Sequence, residues 1–243
     1  MDIITINALS KSYKSKKALD NVSLAIKEGE LFGLLGVNGA GKTTLIKILC
    51  GLSKKNSGDI SINGFNLDEE MDKIKEIIDV SPQETSVANN LTVKENLEYA
   101  LSNDCLGDDK DKTINKYLEL TEISHLKNKK ANTLSGGEAQ RVSLARAFCY
   151  PSNTILCDEP FSSLDLGLKK RIMGVYNDLI KASPRTSIMV THTIDEALFL
   201  ADVIIYLDNN TFKRFENPTP RALRNFGYEA DNTLRKTLND LFS

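Results

Sequence analysis

The sequence predicts an α/β fold: a mostly parallel sheet, with a small antiparallel β subdomain near the N-terminus and a helical subdomain inserted midway. Three observations carry this. Late in the chain, short apolar runs alternate with stretches of helical periodicity, as in strands joined by crossover helices. The first thirty residues instead alternate apolar and polar positions. Between these regions, from about Val93 to Tyr150, every periodic segment reads as helix.

Ile4 and Ile6, then Val22, Leu24 and Ile26, suit edge strands of a small antiparallel sheet. Glu30-Leu-Phe-Gly-Leu-Leu-Gly36 is a dense apolar run, expected of a strand covered on both faces. A glycine-rich turn follows, then Thr43 to Leu52 at helical spacing, apolar at Leu45, Ile46, Ile48 and Leu49. Ser57 to Gly64 reads as a further edge strand closed by an Asn-Gly turn. Helices are expected at Val93 to Ser102, Thr113 to Thr121 and Glu138 to Tyr150, with Pro151 stopping the last. The Asp-rich stretch from Asn103 to Lys112 reads as a solvated loop. Strands return at Thr154 to Cys157, Thr186 to Thr191 and Val203 to Leu207, with helices at Leu168 to Ala182 and Asp195 to Ala201. The expected division is a core at 1–85 and 152–210 that includes the antiparallel subdomain, a helical subdomain at about 86–151, and a short helical tail at 211–243.

Composition narrows the function. The 243 residues carry 31 Lys plus Arg against 33 Asp plus Glu, a net charge of −2, with 41% hydrophobic and 26% charged residues. That is ordinary globular composition, which excludes disordered and fibrous classes. A near-neutral chain has no basic field to draw in nucleic acid, so no nucleic-acid partner is expected. Two histidines, and no CxxC pair among Cys50, Cys105, Cys149 and Cys157, leave no zinc-type site and suggest reduced thiols of a cytosolic protein. The opening MDIITINALS lacks a signal-peptide pattern, and the apolar stretch Ala197 to Leu207 is too short to span a bilayer. Action at a membrane would therefore need another chain to supply the span.

Gly36-Val37-Asn38-Gly39-Ala40-Gly41-Lys42-Thr43-Thr44 fits G-x-x-x-x-G-K-[ST] between a strand and a helix. Glycines let the backbone curl so that successive N–H groups face phosphate oxygens. The helix N-terminus adds its dipole, Lys42 a cation for the β- and γ-phosphates, and the Thr43 hydroxyl a ligand for Mg²⁺. Thr154-Ile-Leu-Cys-Asp158-Glu159 is an apolar strand ending in two carboxylates. Acidic residues often cap buried strands, but a parallel sheet brings these two to the same carboxyl edge as the glycine turn. There Asp158 can hold Mg²⁺ through water and Glu159 can polarise an attacking water. Leu134-Ser135-Gly136-Gly137-Glu138 opens the helix Ala139 to Tyr150 and contains a Ser-x-x-Glu capping box. Its two glycines weaken a first helical turn and make sense where a phosphate meets bare backbone, giving a second anion site without a lysine.

Together these elements resemble the ATP-binding subunits of ABC (ATP-binding cassette) proteins, over about Ile3 to Leu207. Ser81-Pro-Gln83-Glu84 is similar to the family's Gln loop, Leu134 to Glu138 to its signature, Ser163-Leu164-Asp165 to its D-loop, and Thr191-His192-Thr193 to its switch region. Tyr13 stands where the family places an aromatic against adenine. The resemblance implies a P-loop NTPase core and a head-to-tail homodimer or heterodimer closing over two ATP molecules with Mg²⁺. One subunit would supply Lys42, Thr43, Gln83, Asp158, Glu159 and His192, and the other Ser135 and Gly137. Glu159 would be the general base, His192 would contact the γ-phosphate, and Gln83 would sense metal and water. Two departures are Glu138, where the family commonly has Gln, and Phe161, where it commonly has Thr; neither touches the chemistry.

The implied function is the ATPase subunit of a membrane transporter, peripheral on the cytoplasmic face and paired with a separate membrane permease. A soluble single-cassette ATPase such as an iron–sulfur assembly factor is the alternative. A non-catalytic nucleotide module is disfavoured, because Lys42, Asp158, Glu159 and His192 are all present. The stretches Leu35 to Leu52 and Val80 to Leu97 are most similar to exporter-type cassettes, which leans the reading toward export.

Overall fold

The computed structural model describes residues 1–82, 86–101, 109–162, 164–208, 211–224 and 232–242. Two sheets organise it. The smaller has four strands in the order β2-β1-β4-β5, made of β1 (Asp2–Tyr13), β2 (Lys16–Lys27), β4 (Ser57–Ile62) and the two-residue β5 (Phe65–Asn66). Every pairing in it is antiparallel. The larger sheet has the order β10-β9-β3-β8-β7-β6, from β3 (Leu31–Gly36), β6 (Ile78–Ser81), β7 (Thr154–Asp158), β8 (Thr186–Thr191), β9 (Val203–Asp208) and β10 (Thr211–Glu216). Its strands are parallel except β10, which returns antiparallel along β9.

Side chains of the larger sheet alternate between two cores, as the period of two in a strand requires. Phe32 and Leu34 of β3, Leu156 of β7, and Ile188 and Val190 of β8 face the core shared with the small sheet and helix α1 (Lys42–Leu49). Leu31, Leu35, Ile155, Cys157 and Met189 face the opposite core. That second core is covered by α3 (Val93–Ala100), α4 (Lys110–Leu120), α5 (Gly136–Cys149), α6 (Leu166–Ala182), α7 (Ile194–Leu200) and α8 (Asn232–Phe242). Each fully buried Leu, Ile or Phe contributes roughly 1.5–3 kcal/mol of burial, so burial on both faces ties the sheet into each core.

Arg185, at the entry to β8, fastens the helical layer to the sheet. Its guanidinium donates to the Phe148 and Tyr150 carbonyls at 2.8 and 2.5 Å and to the Tyr117 hydroxyl at 3.3 Å. It thereby satisfies carbonyls left open at the end of α5. Burial holds this guanidinium below its ordinary pKa.

Several expectations are corrected. Residues 211–216, expected in a helical tail, form β10, because Phe212 packs into one core and Phe215, three residues on, into the other, as only an extended strand allows. Ser57 to Ile62 is not an edge, since β5 continues the sheet beyond it. α5 begins at Gly136 rather than at Glu138 or Ala139, so both glycines lie inside its first turn. The strand β6 and the helix α2 (Met71–Ile77) carry too few periodic positions to register in the sequence. Of the predicted Asp-rich loop, Lys110 to Lys112 belong to α4, and residues 103–108 lie outside the described residues.

Candidate functional site

The carboxyl ends of β3, β8 and β7 lie side by side, and each ends in residues that the sequence marks for chemistry. β3 leads through Gly36, Val37, Asn38, Gly39 and Ala40 to Gly41, the N-cap of α1. Gly41 has φ +103°, and a Cβ there would stand 2.3 Å from the Ala18 carbonyl oxygen, so only glycine lets the loop turn into the helix. No side chain caps α1, which leaves its N-terminal amides open to an anion.

Lys42 is buried, and its Nζ donates to the carbonyls of Gly36 at 2.7 Å and Val37 at 3.0 Å. The loop thus holds its own cation in place. Burial lowers the Lys42 pKa, opposed by the nearby charges of Glu159 and Asp158. An open cavity of about 460 Å³ adjoins it, lined by Tyr13, Asn38, Gly39, Gly41, Lys42, Thr43, Thr44 and Glu159, and also by Lys16 and Ala18. Tyr13 stands at the cavity wall, 46% exposed, with its hydroxyl 3.2 Å from Ser53 Oγ and Lys11 Nζ 4.8 Å from its ring centre. The Ser53 contact, ahead of weaker effects from Thr44, Lys11 and Lys47, holds its phenol below the usual pKa.

Thr43 Oγ1 donates to Asp158 Oδ1 at 3.4 Å, bringing a hydroxyl and a carboxylate oxygen together at the cavity. Burial raises the Asp158 pKa, as does the neighbouring Glu159, while Thr43 and Lys42 pull it down. A hydroxyl and a carboxylate oxygen side by side are the hard-oxygen donors that would hold Mg²⁺. No cluster of three or more His, Cys, Asp or Glu occurs among the described residues, which fits an ion that takes its other ligands from phosphate and water.

Glu159 follows Asp158 with φ +49°, a backbone region that L-residues avoid. Its amide donates to the Val190 carbonyl at 3.1 Å, which sets the carboxylate toward β8. There His192 Nδ1 lies 3.3 Å from Glu159 Oε2. Gln83, and Ser163 of the D-loop stretch, lie outside the described residues. Asp165 is described: its Oδ1 accepts from the Gly167 and Leu168 amides at 3.0 Å, capping α6.

The second anion site stands elsewhere. Ser135 Oγ accepts from the Glu138 amide at 3.3 Å and Glu138 Oε2 from the Ser135 amide at 2.7 Å, closing the capping box. The Ser135 amide is the main influence holding the Glu138 carboxyl below its ordinary pKa. None of Ser135, Gly136, Gly137 or Glu138 lines the cavity beside Lys42. The two glycines also differ: Gly136 faces open space, whereas a Cβ on Gly137 would meet Leu168 Cδ2 at 2.4 Å and displace that side chain.

Lys16 escaped the sequence reading. It sits directly across the hairpin from Tyr13, with its Nζ 4.0 Å from where a Cβ of Gly39 would lie. Lys14-Ser15 carries none of the Gly or Asn-Gly signals of a two-residue hairpin, so this pairing is not legible in the sequence.

A family model described as ABC transporter matches residues 19–162. The chain is 36% identical over 231 residues to a probable sulfate/thiosulfate import ATP-binding protein of Chlorella vulgaris, covering 92% of this chain and 98% of that protein. It is 36% identical over 209 residues to the ATP-binding protein of a tungstate uptake system in Peptoclostridium acidaminophilum, covering 85% and 94%. To the putrescine transport ATP-binding protein of Escherichia coli K12 it is 32% identical, covering 92% of this chain but only 61% of that one. Among solved structures, a dimeric ATP-binding cassette in a post-hydrolysis state with ADP and Pi has a TM-score of 0.77 at 31% identity, covering 92% of this chain and 100% of that one.

Proposed function

The chain belongs to the ABC transporter family as an ATP-binding, ATP-hydrolysing subunit that uses Mg²⁺, and from that premise we propose that it drives solute import through a separate membrane permease. The export lean of the sequence reading is set aside, because the similar relatives named above include sulfate/thiosulfate import and tungstate uptake proteins. The soluble-factor alternative is not favoured by these relatives. No helix among the described residues is long and apolar enough to cross a membrane, so in this reading the subunit sits peripherally on the cytoplasmic face.

One observation carries the reading: Lys42, Thr43 and Glu159 line one cavity, with Asp158 against Thr43 and His192 against Glu159, while Ser135 to Glu138 do not line it. Each nucleotide then lies between two subunits, identical or paired. One contributes Tyr13, the loop Gly36 to Thr44, Gln83, Asp158, Glu159 and His192, and the other contributes Ser135, Gly136, Gly137 and Glu138, with Asp165 at the seam. Lys42 leaves the Gly36 and Val37 carbonyls for the β- and γ-phosphates. Thr43, Asp158 and Gln83 would hold Mg²⁺, which would supply positive charge against the phosphates. Glu159 takes the proton of the attacking water on its carboxylate, and His192 orients that water against the γ-phosphate. The helices of about 86–151 form the subdomain that bears the signature, and the rest of 1–210 forms the nucleotide-binding core.

The test is reconstitution of the protein with its permease in vesicles whose ATPase side faces outward. Import predicts solute leaving the lumen toward that side on addition of Mg-ATP; ATP-driven accumulation in the lumen would instead establish export.

A further inference from the structure

One buried carboxylate adjoins the site without taking part in the chemistry above. Glu196, in the first turn of α7, has 4% of its side chain exposed. Its Oε2 accepts a 2.5 Å hydrogen bond from Thr191 Oγ1, and that oxygen accepts from the Thr193 amide at 3.0 Å. Thr191 and Thr193 flank His192, so this chain of bonds grips the backbone on both sides of it. Glu196 Oε1 has no hydrogen-bond donor; Lys169 Nζ lies 2.7 Å from it as an ion pair outside hydrogen-bond alignment. Lys169 belongs to the first turn of α6, where its amide donates to the Asp165 carbonyl at 2.8 Å.

We propose that Lys169 and Glu196 are positioning residues for ATP hydrolysis: a buried latch that holds the His192 turn to α6 and its Asp165 cap. The proposal rests on the reading of His192 as the γ-phosphate contact. Glu196 Oε2 accepts the Thr191 hydroxyl proton, which leaves the hydroxyl lone pairs facing the Thr193 amide. The turn then has one favoured arrangement, with the imidazole 3.3 Å from Glu159. Because the other end of the latch is the first turn of α6, a shift of Asp165 reaches His192 through one ion pair. A latch that only pinned two helices would affect stability and leave turnover alone.

The experiment is steady-state ATPase of the full-length protein carrying Lys169→Met, Lys169→Arg, or Lys169→Met with Glu196→Gln. A misplaced reacting group costs up to about a hundredfold, so Lys169→Met should lower kcat by about ten- to hundredfold, with KM for ATP within about twofold of wild type. Lys169→Arg should restore most of it. The double variant leaves no unpaired buried charge, so it keeps the test alive if Lys169→Met fails to fold, and it should lose kcat to about the same degree. A wild-type kcat in either the folded Lys169→Met or the double variant, whatever its melting temperature, overturns the latch. Failure of the underlying reading shows separately, as a wild-type protein without ATPase activity or a fully active Glu159→Gln variant.

Discussion

Glu159 offers the sharpest perturbation, because its role and its backbone strain are separable. Glu159→Gln keeps the side-chain shape beside His192 but removes the proton acceptor. General-base catalysis is worth about 10²- to 10⁴-fold, so the barrier to hydrolysis should rise by about 3–5 kcal/mol. Nucleotide affinity should hold or tighten: the Glu159 charge pushes the Asp158 carboxyl upward, and removing it leaves the cavity less negative. The assay is phosphate release at saturating Mg-ATP, with binding of a fluorescent ATP analogue measured in parallel. The backbone gives a second reading. At φ +49° a residue with a Cβ is strained by about 1–2 kcal/mol, which glycine relieves, set against its greater freedom in the unfolded chain. Glu159→Gly should therefore be about as inactive as Glu159→Ala yet more stable by about 1 kcal/mol, or about 2–4 °C in Tm. Turnover by Glu159→Gln above a tenth of wild type would refute the base, and an Ala variant as stable as the Gly variant would refute the strain.

Three further perturbations probe other parts of the molecule. Lys42→Met removes a charged contact worth about 1.5–3 kcal/mol, so calorimetry should show ATP binding about 10- to 150-fold weaker. Gly137→Ala drives a methyl to 2.4 Å from Leu168 Cδ2 and should destabilise by about 1–3 kcal/mol in denaturant unfolding, whereas Gly136→Ala, facing open space, should not. Burial pushes the Asp79 carboxyl up to about 6, with the Val80 amide and the charges of Arg146 and Arg185 opposing it. The folded state therefore holds this proton to higher pH than the unfolded chain, and the site's contribution to stability falls as pH rises through about 4 to 6. Relative to wild type, Asp79→Asn should gain up to about 3 kcal/mol between melts at acidic and neutral pH, and an unchanged difference would contradict the shift.

Much of this architecture is legible in the chain because strong local patterns coincide with tertiary placement. Leu31–Gly36, uniformly apolar, and Thr186–Thr191, with its Ile-Met-Val centre, are strands buried on both faces. The Ser135–Glu138 capping box is local, so four residues suffice to read it. The elements that escaped depend on distant partners. β10 exists because Phe212 and Phe215 each reach a different core, and nothing within Thr-Phe-Lys-Arg-Phe-Glu reveals both. Glu196 looks like an ordinary first-turn acid of a helix until Lys169 and Thr191 are brought against it. At Gly137 the approach of Leu168 is likewise hidden in the sequence, because it comes from α6.

The two helix starts then differ in a way that bears on how the subunit works. At α1 no side chain caps the N-terminus, and Lys42 is held within the loop, ready for phosphate. At α5 the capping box occupies the Ser135 and Glu138 amides but supplies no acceptor to the amides of Gly136 and Gly137, and the cation beside it, Lys129 Nζ, lies 3.7 Å from Glu138 Oε2. In the proposed reading, a site made of two amides, a hydroxyl and a carboxylate paired with a lysine holds a nucleotide weakly on its own, because Glu138 offsets the Lys129 charge. It becomes useful only against a phosphate whose charge Lys42 and a metal ion have already offset, and α5 does not line the cavity where they stand. In the proposed reading, the second site contributes when another subunit presents its loaded cavity, and it ceases to attract once the γ-phosphate has gone. Closure and release would then draw on the difference between two helix N-termini.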